Sequence, residues 1–192
     1  MSELLAIGLS SWIIQDGNYA DFKRGQTSAF ALEFYAPEPL RPCERFAPED
    51  RSLEWKHDSE YVVRGVVAFM SDSWWVLDAG LKLFGGNPPA SMRVGQGLVG
   101  RINVGVDPFF YFETLSAIPG APAIIYDWII GDVLMQTAPW IPMAEGSRSL
   151  VRDPARLGWK SILATDAWRD DDGSASYLLK CTRQDGEPRH RR

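Results

Sequence analysis

The chain holds 192 residues, with 20 Lys or Arg against 25 Asp or Glu for a formal charge of −5, and it is 45% hydrophobic and 23% charged. These proportions exclude a disordered chain, a collagen and a disulfide-stapled miniprotein. The acidic balance argues against nonspecific polyanion binding, which needs a positive field over the surface.

Residues 4–14 (LLAIGLSSWII) have the branched and aromatic content of a first strand, and Gln15-Asp16-Gly17-Asn18 is turn chemistry. Ala29–Tyr35 is a second strand, with Phe30, Leu32 and Phe34 on one face. Together these predict an N-terminal hairpin over 4–35. Four prolines among charges make 36–59 a surface loop with at most one helical turn near Pro48. Glu60–Met70 is the clearest strand, and Ser71-Asp72-Ser73 turns it into Trp74–Leu77. Residues 92–104 alternate, with Leu98, Gly100, Ile102 and Val104 inward and Arg101 and Asn103 on a wet face. Asp107-Pro108 breaks that strand, and Phe109–Leu115 resumes extended. Periodicity does not separate strand from helix over 123–135, but its β-branched and aromatic content favours strand. Asp153 caps a short helix that begins at Pro154. Ser161–Thr165 and Ser176–Thr182 form a closing hairpin, and a basic tail, 184–192, is disordered.

Eight or so strands punctuated by Gly, Pro, Asp and Asn, with one or two short helices at most, predict an all-β fold. Glycines inside strands, at Gly65, Gly97, Gly100 and Gly131, mark bulges and close approaches and favour a single antiparallel barrel over a flat sandwich. The expected organisation is one β-rich domain over 1–183, with its main barrel at 60–183, OB-like over 60–135. Cys43 and Cys181 form no CxxC or Cys/His cluster and are expected as two thiols in a reducing cytoplasm. An acidic start and the lack of a run of about 20 apolar residues predict neither signal peptide nor membrane helix.

Few motifs carry chemistry. Gly95-Gln96-Gly97-Leu98-Val99-Gly100 matches GxGxxG, but strand-forming residues follow where a dinucleotide site needs a helix. Asp170-Asp171-Asp172-Gly173 lacks calcium-loop spacing and is expected to turn a hairpin. With only His57 and His190, no catalytic triad or metal set assembles, and no cofactor or metal is expected. The scattered acids Asp72, Asp78, Asp107, Asp127 and Asp132 lie near strand ends, where turn capping explains each singly.

The positive signal is aromatic. In extended backbone, Trp74 and Trp75 point to opposite faces, as do successive rings of Phe109-Phe110-Tyr111-Phe112. Either a second layer covers the outer rings, or they form a ligand or partner site. Arg64 and Arg101, on ring-bearing strands, either stack on a ligand or sit at the barrel rim. The leading expectation is a noncatalytic module holding a protein partner or a small apolar ligand through these residues. The alternatives are single-stranded nucleic-acid binding on an OB-like barrel and a small hydrolase with paired carboxylates in the barrel mouth.

Overall fold

A computed structural model describes residues 4–144 and 146–191, with the side chain of Phe112 outside the described set. Strands hold 47% of the residues, and five of them close into a mixed barrel with further strands attached.

In chain order the elements are β1 (Leu4–Ser10), α1 (Ser11–Gln15), β2 (Thr27–Phe30), β3 (Leu32–Tyr35), β4 (Arg41–Pro42), β5 (Ser52–His57), β6 (Glu60–Met70), β7 (Trp74–Asp78), β8 (Lys82–Gly86) and β9 (Gly97–Val106). Then come α2 (Phe110–Glu113), β10 (Tyr126–Gln136), β11 (Trp140–Pro142), β12 (Leu150–Arg152), β13 (Trp159–Ile162) and β14 (Ser176–Arg183). The ring runs β9-β3-β8-β7-β6 and returns to β9. β1 leaves the ring at β9 and leads through β14 and β10 to β13, an outer sheet. Among the described residues two pairings are parallel, β1 with β9 and, within the ring, β3 with β8, so the barrel is mixed rather than purely antiparallel.

Local pattern accounts for the central elements. Along β6, inward residues Tyr61, Val63 and Val67 are buried between partly exposed neighbours. Along β9, Leu98, Ile102 and Val104 are buried while Arg101 is exposed, as the alternation predicts. In β10, Tyr126, Trp128 and Ile130 face the core, and a bulge at Gly131 shifts the register so that Val133 also faces inward. Asp153 accepts from the Ala155 amide at 3.0 Å and starts a single 3-10 turn.

Several expectations are corrected by long-range pairing. Residues 4–35 form no hairpin: β1 pairs with β14, β2 with β10 and β3 with β9. The first strand ends at Ser10, where Ser11 and Gln15 tie α1 to Gly173 and Ala167 by side-chain bonds of 2.6–2.8 Å. The proline-rich stretch contains β4 and the six-residue β5, which pairs with β6. β13 and β14 both pair with β10 and not with each other. The ring closes over residues 32–106, so β10, expected in the barrel, lies outside it. Asp170–Gly173 is a 3-10 turn with Asp171 and Asp172 in left-handed backbone, not a hairpin turn. The tail expected to be disordered runs back to residue 125, where Ile125 and Arg189 exchange backbone hydrogen bonds of 3.0 and 2.9 Å.

Candidate functional site

The two tryptophans at 74 and 75 do look both ways, and both are covered. Trp75 points into the main core, where Phe34 meets it edge-on at 5.0 Å. Trp74 points out of the ring into a second cluster with Val76, Phe84, Tyr111, Ile124 and Ile125. The segment 110–125 is therefore the second layer, and neither tryptophan reaches the surface. Phe110–Glu113 is a short helix and not a strand, because the Asp107 side chain accepts the Tyr111 amide at 3.2 Å and turns the chain. That turn buries Tyr111, leaves Phe109 half-buried and Phe110 exposed, and Phe112 lies outside the described side chains. Arg101 is exposed and 3.4 Å from Glu60, and Arg64 faces Asp50 at 3.7 Å. Among the described residues the cation–ring pairs are instead Arg152 with Trp140 and Arg183 with Tyr126.

The residues the sequence singles out do not converge, and none of them lines the groove that the fold forms. The single parallel contact of β1 with β9, at Gly8 and Gly105, is the seam between ring and outer sheet. A groove of roughly 500 Å³ opens over that seam. Its floor is low because one cross-strand row places Leu178, Gly8, Gly105 and Glu33 side by side, and two of the four lack a side chain. A Cβ on Gly105 would meet only the Gly8 carbonyl oxygen, at 3.5 Å. Glu33 and, two rows on, Tyr35 and Asn103 line one part of the groove, with Asp58, Gln136 and Trp159 elsewhere along it. Trp12 on α1 also lines it and is 49% exposed, while Tyr35 is 68% exposed.

Ring contacts extend this lining onto the surface. Trp12 meets Phe109 edge-on at 6.5 Å, and Phe109 meets Phe110 at 4.7 Å. Phe109 and Phe110 thus join the groove through a tryptophan that the sequence gives no reason to group with them.

The electrostatics are one-sided. Glu33 and Asp58 line the groove, and no Lys, Arg or His lines it among the described residues. Asp58 sits in left-handed backbone at the β5–β6 turn and accepts the Trp159 indole N–H at 2.7 Å. Burial pushes the Glu33 carboxyl above its ordinary range. Behind it, Asp107 is fully buried, with Oδ1 lacking a hydrogen-bond partner. Desolvation, helped by the nearby Glu33 charge and opposed by the Tyr111 amide, pushes Asp107 up to about 7. Among the described residues no three His, Cys, Asp or Glu side chains gather as metal ligands. Gly95–Gly100 enters β9 rather than a helix, so its amides form no helix N-terminus for a phosphate. No helix of the described residues is long and apolar enough to cross a membrane.

Compared with protein-family models, curated proteins and solved structures, the chain matches none of them.

Proposed function

We propose that this protein is a noncatalytic binding module that seats a segment of a protein partner in the groove between ring and outer sheet. One observation carries the reading: a continuous series of accessible rings, Phe110, Phe109 and Trp12, leads into a groove that also presents Tyr35 and Trp159. Aromatic side chains give large contact area at low entropy cost and anchor interfaces. A small apolar ligand fits less well, because Glu33, Asp58, Asn103 and Gln136 share the lining. The free thiols Cys43 and Cys181 support a reducing, cytoplasmic setting.

The same lining counts against a nucleic acid on an OB-like surface, since the groove is acidic and Arg101 and Arg64 are opposed by Glu60 and Asp50. Carboxylate-pair hydrolysis draws support from the neighbouring Glu33 and Asp107, but Asp107 is sealed away from the groove.

The test is selection of random dodecapeptides displayed on phage against the immobilised protein, with counter-selection on Gly105→Leu. That substitution fills the floor where a Cβ makes only an ordinary contact with the Gly8 carbonyl oxygen. The expected result is a family of peptides that bind the native protein and lose binding both to Gly105→Leu and to Trp12→Ala, which removes a half-exposed ring of the groove. No enrichment, or peptides indifferent to both variants, overturns the reading.

A further inference from the structure

Glu33 is the feature of the groove that the fold itself does not explain. Its neighbours on β3, Leu32 and Phe34, are buried in the core as the strand alternation requires. Glu33 faces the other way, flanked in its row by Gly105 and by Phe84 of the outer aromatic cluster. Among the described residues no donor or cation pairs with its carboxylate, although it is half-buried. A half-buried carboxylate without a partner is costly, and the cost is relieved by a counter-charge or by protonation. Within the protein, the acids nearest in the fold add to the same sign: Asp107 lies behind it and Asp58 lines the same groove.

The rings matter to the same question. A cation is attracted to the face of Trp or Tyr, most strongly where water is partly excluded. The groove offers Trp12, Tyr35 and Trp159 together with two carboxylates; Asp58 has the His57 ring nitrogen at 3.5 Å, whereas among the described residues no basic group pairs with Glu33. The chain as a whole carries −5, which favours encounter with a basic partner.

From this charge complementarity we infer that the segment seated in the groove presents a basic side chain, the ammonium of lysine or the guanidinium of arginine, to Glu33. Residues flanking that cation in the partner are apolar and pack along Trp12, Phe109 and Phe110. This inference rests on the groove reading above and names its partner's chemistry.

The dodecapeptides selected above supply the probes, so the two readings fail separately. The expected result is enrichment of Lys or Arg beside an apolar residue. Replacing that Lys by acetyl-lysine, which keeps the aliphatic stem and removes the charge, is expected to weaken binding about tenfold or more. Glu33→Gln is expected to do the same, with the variant's melting temperature as the control for folding. Tyr35→Ala, at an exposed ring, gives a second variant that does not touch the core. Affinity falls as salt rises. Neutral or acidic peptides that bind, and are displaced by Gly105→Leu, leave the groove reading standing and overturn the cation. Basic peptides indifferent to Glu33→Gln also overturn it, since they report only attraction to an acidic surface. Full competition by free putrescine at the peptide's own concentration shows a small amine as the occupant and overturns the peptide partner.

Discussion

Glu33 and Asp107 stand diagonally across one antiparallel ladder, on the same face. Glu33 is opposite Gly105, and the Asp107 amide donates to the Ala31 carbonyl at 3.0 Å, two residues further along each strand. Diagonal neighbours of this kind lie about 7–8 Å apart, near enough for two carboxylates in a poorly solvated place to feel each other.

The fully buried member of the pair makes stability fall with rising pH. Asp107 is shifted from an ordinary 3.8 to about 7 in the folded chain, so between those values the native state holds a proton that the unfolded state has released. Its contribution is fully present below the unfolded value and is lost as pH rises through about 7, a change of about 4 kcal/mol at most. Asp107→Asn keeps the acceptor for the Tyr111 amide and removes the titration. Urea denaturation of both proteins from pH 4 to pH 8 is expected to show the variant gaining on the native protein by a few kcal/mol. A stability difference that stays flat across that range contradicts the assignment.

The outer aromatic cluster should behave as a true core. Trp74 is 2% exposed and packs against Phe69, Phe84 and Tyr111 at centroid distances of 4.9, 6.3 and 6.1 Å. Its truncation leaves a cavity beneath the covering segment, so Trp74→Ala is expected to cost about 3–5 kcal/mol in urea unfolding. Phe110→Ala, at an exposed ring on the same covering segment, is expected to change stability by less than about 1 kcal/mol. Equal losses in the two variants would show that Phe110 is packed and not presented.

The C-terminal segment is held by a local clasp that is expected to open without unfolding the chain. Arg189 makes a two-pronged pair with Asp127, whose carboxyl it holds below the usual range, and the two backbone bonds between Ile125 and Arg189 lie beside it. Both partners are more than a third exposed, so the ion pair itself is worth about 0–1 kcal/mol. Arg189→Ala is expected to leave the melting temperature nearly unchanged while amide exchange at Ile125 accelerates severalfold. A large drop in melting temperature would mean that the segment belongs to the cooperative core.

What the sequence made legible was local. The Glu60–Asp78 hairpin, the half-wet face of β9 and the inward face of β10 all follow from alternation, because the period of a strand is written in consecutive residues. Residues 4–35 were misread because their partners lie far along the chain. Leu4 faces Thr182, and nothing near Leu4 encodes that pairing. Phe109–Leu115 was misread because one side-chain bond, from the Tyr111 amide to Asp107, outweighed the strand preference of four rings. The groove is assembled from β1, α1, β3, the β5–β6 turn, β9 and β10 with the strands beside it, so no spacing announces it. Its one sequence signal was Glu33, the lone acid inside AFALEFY.

Two glycines on β9 separate overpacking from ordinary contact, and the contrast can be measured. A Cβ on Gly97 would lie 2.6 Å from the Cβ of Phe46, in the loop that covers the outer face of the strand. A Cβ contact cannot be relieved by turning a rotamer, so the loop backbone must move. Gly97→Ala is therefore expected to cost about 1–3 kcal/mol through overpacking. Gly105 lies on the same strand, eight residues on, where an added Cβ meets only the Gly8 oxygen at 3.5 Å and points into the groove. Neither residue has the positive φ that would forbid alanine. Gly105→Ala is expected to be neutral or to gain up to about 1 kcal/mol, because the unfolded chain loses freedom. Urea midpoints for the pair decide the matter. If Gly105→Ala is as costly as Gly97→Ala, the seam is closed by packing and the groove has no open floor.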